Sequence, residues 1–517
     1  MTALRKAEWV GRKFIRKKML ASPFRRFVSL LLLFAIAQAT QAQTLRAEFS
    51  PLANFAYQLD CLSGVRSQGQ CAGANDFRAL WKREFGIDTA TASLISRWAT
   101  LRREYSSTAS NNRDDRIDAS SRVLIAAFAA RDEADYRSRL ELLLPNRLAP
   151  EAVDIVQSLY PAFEKWWQRE GAASGKPASD AMIAALQTAA IKQHVNELFA
   201  FYGSPKAARA PHTAYLLFRP GLADAKNTSG ANFGSTSIVE FFAETESRGQ
   251  TPVIVHEYSH YVFGVAPKPP TLALRSGVVT AGGEIGLPLW GLVDEALASA
   301  IGNGRVSRTL LGPDAYEAFA AKPLSFYNIA NIDLAGKAMM PHVDAFVASG
   351  QTIFDRTFPD VYAKAVRAKL GDVLNQPATF MTEYSLVVDG ALGSGPEGGA
   401  PWASEFQTRS RMMAVLGCCG DNFSQAIKNA VKGTAVIAVS SSNADKLASV
   451  MRLSDDKQTA LDAARREAGA VGALLVSRET GSPPLILAIV NDGEALSRAA
   501  KLLAATPALK AGVVSVK

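Results

Sequence analysis

The chain has 517 residues, 57 Lys and Arg against 48 Asp and Glu, and a formal net charge of +9. Residues 1–42 hold nine Lys/Arg and one Glu, so +8 of that +9 sits in them and +1 is left for residues 43–517. A near-neutral body gives no basis for a nucleic-acid partner, and its ordinary apolar content excludes a disordered chain or one with many membrane spans.

Residues 1–42 read as a secretory signal. Lys and Arg crowd the first 26 residues, Phe27–Ala37 is a short apolar run, and small residues follow at Ala37-Gln38-Ala39 and Thr40-Gln41-Ala42. The run is short for a membrane span, which predicts export to the periplasm or beyond, with no stable span in the mature chain. An uncleaved membrane anchor is the alternative. Met19 offers a second start besides Met1, and Arg25-Arg26 matches a twin-arginine signal only loosely.

The remaining length exceeds one ordinary core, and changes of texture divide it into an N-terminal helical region (43–205), a central region (206–432) and a small α/β unit (433–517). Four cysteines suit an oxidising compartment without making a disulfide scaffold. Cys61 and Cys71 bracket a Gly/Ser/Gln-rich loop and are the expected pair; Cys418 and Cys419 are adjacent, where a bond is strained, and cross-links between the two ends are the other possibilities.

Helical spacing of apolar residues predicts helices over 76–85, 90–105, 122–144, 150–170 and 179–202, with the Gly/Ser stretch 171–175 and Pro177 as breaks. The aromatic cluster Tyr160, Phe163, Trp166 and Trp167 is expected to be helix packing, and His194 structural. At Pro211 the texture changes. Thr213–Phe218 and Ser237–Phe242 read as strands joined by a turn-rich segment, 227–235.

Val253–Gly264 follows, with His256-Glu257-Tyr258-Ser259-His260 at its centre. On a helix the two histidines lie four residues apart on one face, so their imidazoles can close on one Zn²⁺ while Glu257 sits beside the metal's open position as a general base. The flanking Val253, Ile254, Val255, Val262 and Phe263 suit a helix buried beneath a cleft. Downstream, Leu289–Ala300 is a helix-like run that carries Asp294-Glu295-Ala296.

An H-E-x-x-H helix followed by a second helix with such an acidic pair resembles the gluzincins, the thermolysin- and aminopeptidase-like branch of zinc metallopeptidases. The resemblance covers roughly residues 213–345. It implies a predominantly helical α+β fold with a gluzincin-like catalytic core of a small sheet and active-site helices. It also implies one Zn²⁺ per chain on His256, His260 and Glu295, Glu257 as catalytic base, and a peptide or protein as substrate. No x-x-Gly-x-x-His extension follows His260, so the three-histidine metzincin pattern is absent. Thirty-four residues intervene between His260 and Glu295, more than thermolysin-like enzymes use. Those enzymes carry an Asp four positions after the glutamate ligand to orient the first histidine; here Ser299 stands there, and Asp294 is a candidate substitute.

By the same resemblance Ser237–Phe242 takes the place of the edge strand that pairs with extended substrate. The Pro- and Gly-rich segment 266–288 is expected as a loop or short hairpin at the cleft rim, and helices are expected to resume from 313 to 431. Beyond 434, strands at 435–439, 473–476, 485–490 and 512–516 alternate with helices at 443–451, 457–468 and 493–505.

Gluzincins also supply a Tyr or His to the oxyanion, for which Tyr327, His342, Tyr362 and Tyr384 are the candidates. No Gly-x-Met-Glu-Asn strand is present to grip a free amine, which favours an endopeptidase. Two alternatives stand beside that reading: a non-catalytic secreted binding protein on the same scaffold, and a zinc hydrolase of a non-peptide amide.

Overall fold

The computed structural model describes residues 45–66, 71, 73–108, 119–204, 211–220, 228–243, 250–371, 374, 384–393, 400, 402–407, 410–467, 469–477, 483–505 and 511–517. The leader 1–42 with Met1 and Met19 lies outside them, as do residues 394–399 and, between Cys61 and Cys71, residues 67–70. Cys61 is bonded to Cys71 as expected, and Cys418 to Cys419. No described helix is long and apolar enough to cross a membrane.

The fold is predominantly helical α+β, with two sheets among the described residues. In the first, Leu45–Glu48 (β1), His212–Arg219 (β2), Gly230–Phe233 (β3) and Thr236–Phe242 (β4) are ordered β1-β2-β4-β3. β2 pairs in parallel with both β1 and β4, and β3 closes the far edge antiparallel to β4. Every residue of β2 is buried, which is why His212–Arg219 is apolar in runs rather than alternating. β1 covers only residues 212–215 of β2. Where it stops, Asn54 takes over: its side chain donates to the Leu216 carbonyl (3.1 Å) and accepts from the Phe218 N–H (2.7 Å). The helix Pro51–Leu62 that carries Asn54 is capped by Ser50.

The expected substrate strand Ser237–Phe242 is not an edge. β4 lies between β2 and β3, and the edge is the short β3, hidden in sequence inside a turn-rich stretch. The register shows this: β4 pairs with β2 over residues 236–242 and with β3 over 236–239.

The N-terminal helices surround this sheet. Tyr160, Phe163, Trp166 and Trp167 are all buried in packing, as expected. His194 meets Thr309 Oγ1 at 2.7 Å. The predicted helix 122–144 is two, Ala119–Phe128 and Glu133–Leu143, because Asp132 caps the second by accepting from the Asp135 N–H at 2.8 Å. The predicted break at 171–177 is absent. Helix runs from Ala149 to Leu186 with a π turn at Trp167–Gly171, tertiary burial of Trp166 and Trp167 outweighing weak local propensity.

The segment 266–288 is likewise helical rather than looped. Lys268–Gly282 forms a helix whose Pro269 and Pro270 lie in its first turn, where missing N–H groups leave no bond unmade. The second sheet also departs from expectation. It starts at Tyr384, not beyond 432: Tyr384–Asp389 (β5) and Ser410–Leu416 (β6) were read as helical, yet they join Ala435–Ser440 (β7), Gly472–Ser477 (β8), Leu485–Val490 (β9) and Gly512–Val516 (β10) in the order β10-β8-β9-β7-β5-β6. β5 is buried on both faces, so its short apolar run gives no alternation to distinguish it from a helix. Leu386 and Val388 face one core, Val387 the other, with helices covering each side.

His212 lies wholly buried at the start of β2, its ring against both Tyr258 and Tyr261 of the H-E-x-x-H helix and its Nε2 3.0 Å from Ser237 Oγ. Burial pushes its pKa down from 6.5 to about 3. The unfolded chain therefore takes a proton that the folded one refuses, so this group's contribution is intact above about 6.5 and is lost as pH falls towards 3. Urea unfolding of His212→Gln and the parent protein across that window should differ in slope by about 1.4 kcal/mol per pH unit, the parent being steeper.

Candidate metal centre

The helix Thr251–Gly264 begins with Pro252 in its first turn and is buried along most of its length. Residues 286–311 form the facing rod: α-helix Gly286–Ala298, a π-helical stretch Ser299–Val306, then Ser307–Leu311. The two meet at Gly302. A Cβ there would lie 2.5 Å from the His256 backbone nitrogen and 2.6 Å from the Pro252 carbonyl oxygen. Only glycine allows that approach, and it sets how closely the second rod can bring a side chain to His256.

The side chain brought in is Glu295. His256 Nε2 and His260 Nε2 are 3.1 Å apart, and Glu295 Oε2 lies 3.5 and 3.6 Å from them. These three atoms form the one group of potential metal donors among the described residues. Ligands about 2.0–2.1 Å from a tetrahedral metal are separated by roughly 3.3–3.4 Å, so the triangle has the right size for one ion. Glu295 Oε2 is buried and has no hydrogen bond of ordinary geometry, as is true of Asp294 Oδ1 beside it, so its lone pairs are open to a cation. The donor set can hold a metal ion.

The charges show the same pressure. Burial alone would raise Glu295, but the two imidazoles outweigh it and hold its carboxyl below the usual range. Burial would lower His260, yet Asp294, Glu295 and Glu257 push it up to about 10. Glu257 is raised, chiefly by burial, with His256 and His260 opposing and Glu295 and Asp294 adding to the rise. A positive charge is wanted here.

The expected orienting group is not Ser299. The wider π turn rotates Ser299 towards Gly336 on the helix Ala330–Ala348, where a Cβ would lie 2.7 Å from the Ser299 Cβ. Asn303 takes the place beside the first histidine, its Nδ2 3.3 Å from His256 Nδ1 and 2.5 Å from the Phe326 carbonyl oxygen. Asp294 serves the second histidine: its Oδ1 lies 2.9 Å from His260 Nδ1. The only local mark of Asn303 in the sequence is its place between Gly302 and Gly304.

Of the four oxyanion candidates only Tyr327 reaches the site. Its ring centroid is 5.6 Å from that of His256, and burial, with Glu295 and Glu257 nearby, holds its hydroxyl protonated well beyond the usual range. Tyr362 is committed to the Leu289 carbonyl at 2.9 Å, and Tyr384 lies in the second sheet. His342 is half-buried on the helix Ala330–Ala348 and does not line the cavity.

That cavity, about 410 Å³, opens from His256, Glu257 and Tyr327 towards Leu310, Leu311, Phe319, Leu324 and Phe326. Among the described residues, its lining has no charged side chain besides the His256 and Glu257 end. β3 runs along it: a Cβ on Gly230 would come within 2.5 Å of Glu257 Oε1, and Asn232 Nδ2 donates to the Glu257 carbonyl at 3.1 Å. No protein family, curated protein or solved structure matches the chain.

The Gly302 contact makes a direct prediction. A methyl in Gly302→Ala has only backbone to displace, so the rods must part. Thermal unfolding should show a loss of about 1–3 kcal/mol, and metal affinity measured by competition with a chelator should weaken at the same time.

Proposed function

We propose that the chain is a zinc-dependent metallopeptidase, most simply an endopeptidase, with His256, His260 and Glu295 as the metal ligands and Glu257 as the general base. The observation that carries this reading is the triangle of His256 Nε2, His260 Nε2 and Glu295 Oε2, with Glu257 alongside at the head of a cavity. Two imidazoles and one carboxylate suit Zn²⁺ better than Mg²⁺ or Ca²⁺, which take oxygen donors. The H-E-x-x-H pattern and the second acidic helix, similar to those of gluzincins, support the same assignment.

When bound, zinc polarises the scissile carbonyl and acidifies the attacking water. The chain's own groups do the rest. Asp294 Oδ1, 2.9 Å from His260 Nδ1, would accept a proton held there and leave the Nε2 lone pair for the metal. His256 ligating through Nε2 would likewise carry its proton on Nδ1, which the neighbouring Asn303 Nδ2, a donor, does not accept. Glu257, its carboxyl raised by burial and so a better base, takes the proton of the water as its oxygen bonds to the carbonyl carbon. It then hands the proton to the amide nitrogen as the C–N bond breaks. The Tyr327 hydroxyl, kept protonated, donates to the developing oxyanion. β3 is the sheet's outer strand, so an extended peptide can add along it beside Glu257. The apolar side chains Leu310, Leu311, Phe319, Leu324 and Phe326 in the cavity wall favour an apolar substrate side chain next to the cleaved bond. The basic leader and its small-residue end support export before the protein acts.

Elemental analysis of the purified protein should find one zinc per chain. Glu257→Gln should keep the metal and lose about 10²–10⁴-fold in kcat on casein or a peptide library. Glu295→Ala should lose the metal. Tyr327→Phe should keep it and lose about 10²-fold in kcat with KM little changed. A parent protein without zinc would sink the peptidase reading in favour of a binding scaffold. Zinc without proteolysis would redirect the search to other amides.

A further inference from the structure

Tyr327 sits on a segment with no regular structure, residues 321–329, between the helices Pro313–Ala320 and Ala330–Ala348. Nothing in a loop of this kind fixes a hydroxyl to the tolerance a reaction needs, unless other groups hold its backbone. Here three side chains do so. Asp333, on the first turn of the following helix and 2% exposed, accepts the Leu324 N–H on Oδ2 (3.2 Å) and the Phe326 N–H on Oδ1 (2.8 Å). Lys337, one turn further, donates to Asp333 Oδ2 (2.9 Å) and to the Lys322 carbonyl (2.6 Å). Asn303 donates to the Phe326 carbonyl at 2.5 Å while lying beside His256.

The loop is thus gripped at 322, 324 and 326, the last of these on both its N–H and its carbonyl. Phe326, buried and stacked on Phe319 with the Lys337 ammonium 5.6 Å from its ring, serves as the apolar anchor. The grip also holds Leu324 at a φ of 58°, a left-handed conformation that a leucine avoids without such support. Tyr327 is the next residue after the anchor. Its place over the metal ligands is therefore set from the Asp333 side as much as from the site itself.

We propose that Asp333, with Lys337 completing its charge, is a positioning residue that clamps the 322–328 loop and so places the Tyr327 hydroxyl over the reacting group. The catalytic part of this rests on the metallopeptidase reading; the clamp does not. In Asp333→Asn one oxygen is replaced by an NH₂ that faces a backbone N–H, and the partner charge of Lys337 is lost. The loop loosens while the ligand helices stay.

Hydrogen–deuterium exchange of Asp333→Asn, with zinc and without it, is the test, alongside steady-state kinetics on a quenched peptide library. Exchange over 322–328 should rise tenfold or more with 251–264 unchanged, zinc should be retained, and kcat should fall about tenfold with KM within twofold. In a Tyr327→Phe background the same substitution should cost nothing further in kcat, because the group it positions is gone. Lys337→Met, at the loop's partly exposed edge, should give a smaller change of the same kind if Asp333→Asn fails to fold. Unchanged loop exchange would overturn the clamp. An equal loss of kcat with and without the Tyr327 hydroxyl would overturn the positioning role. A parent protein that binds no zinc and cleaves nothing, with the exchange change intact, would overturn the metallopeptidase reading and the role of Tyr327 with it.

Discussion

Two imidazole nitrogens 3.1 Å apart with a buried carboxylate oxygen 3.5–3.6 Å from both is an arrangement that folding alone has no reason to build. Lone pairs converge there, and taking such groups out of water costs several kcal/mol per charge unless something of opposite sign is supplied. The protein's own response is visible in His260, driven to about 10 by the carboxylates around it: one ligand must keep a proton to balance them. A divalent cation placed there would meet all three donors at once. Much else in the central region serves to bring these atoms together.

The means are mostly backbone. Gly302 lets the rod 286–311 close on the His256 helix, and the π turn at Ser299–Val306 resets the register so that Asn303 meets the first histidine. β4 and β3 pack the sheet against the other side of that helix, with Asn232 bonded to the Glu257 carbonyl. The result is a site with rigid elements on three sides and one irregular wall, the segment 321–329 that bears Tyr327.

How much of this was legible in the sequence differs by residue. His256, Glu257 and His260 were, since four-residue spacing on a helix is a local property. Glu295 was legible only through the resemblance, as the acidic residue on a second helix after H-E-x-x-H, and the segment before it was misread as a loop; prolines that break a helix in its interior are harmless in the first turn of 268–282. Asn303 was not, because a π turn changes which residues share a face and leaves no periodic mark. Tyr327 could not be separated from Tyr362, Tyr384 and His342, because only tertiary contacts decide which aromatic reaches the ligands. β3 was lost in a turn-rich stretch of four paired residues, and β5 in an apolar run with no alternation. Local patterns placed His256 and His260 on one face; long-range pairing decided the walls around them.

The most direct test of the central claim is anomalous diffraction at the zinc edge from crystals of the protein purified without chelator. A single site bonded to His256 Nε2, His260 Nε2 and a Glu295 carboxylate oxygen at about 2.0–2.2 Å, with a position open towards Glu257, is the result this account predicts. No metal at that triangle after zinc is added, or a zinc held by other residues while the triangle stays as it is, would contradict it.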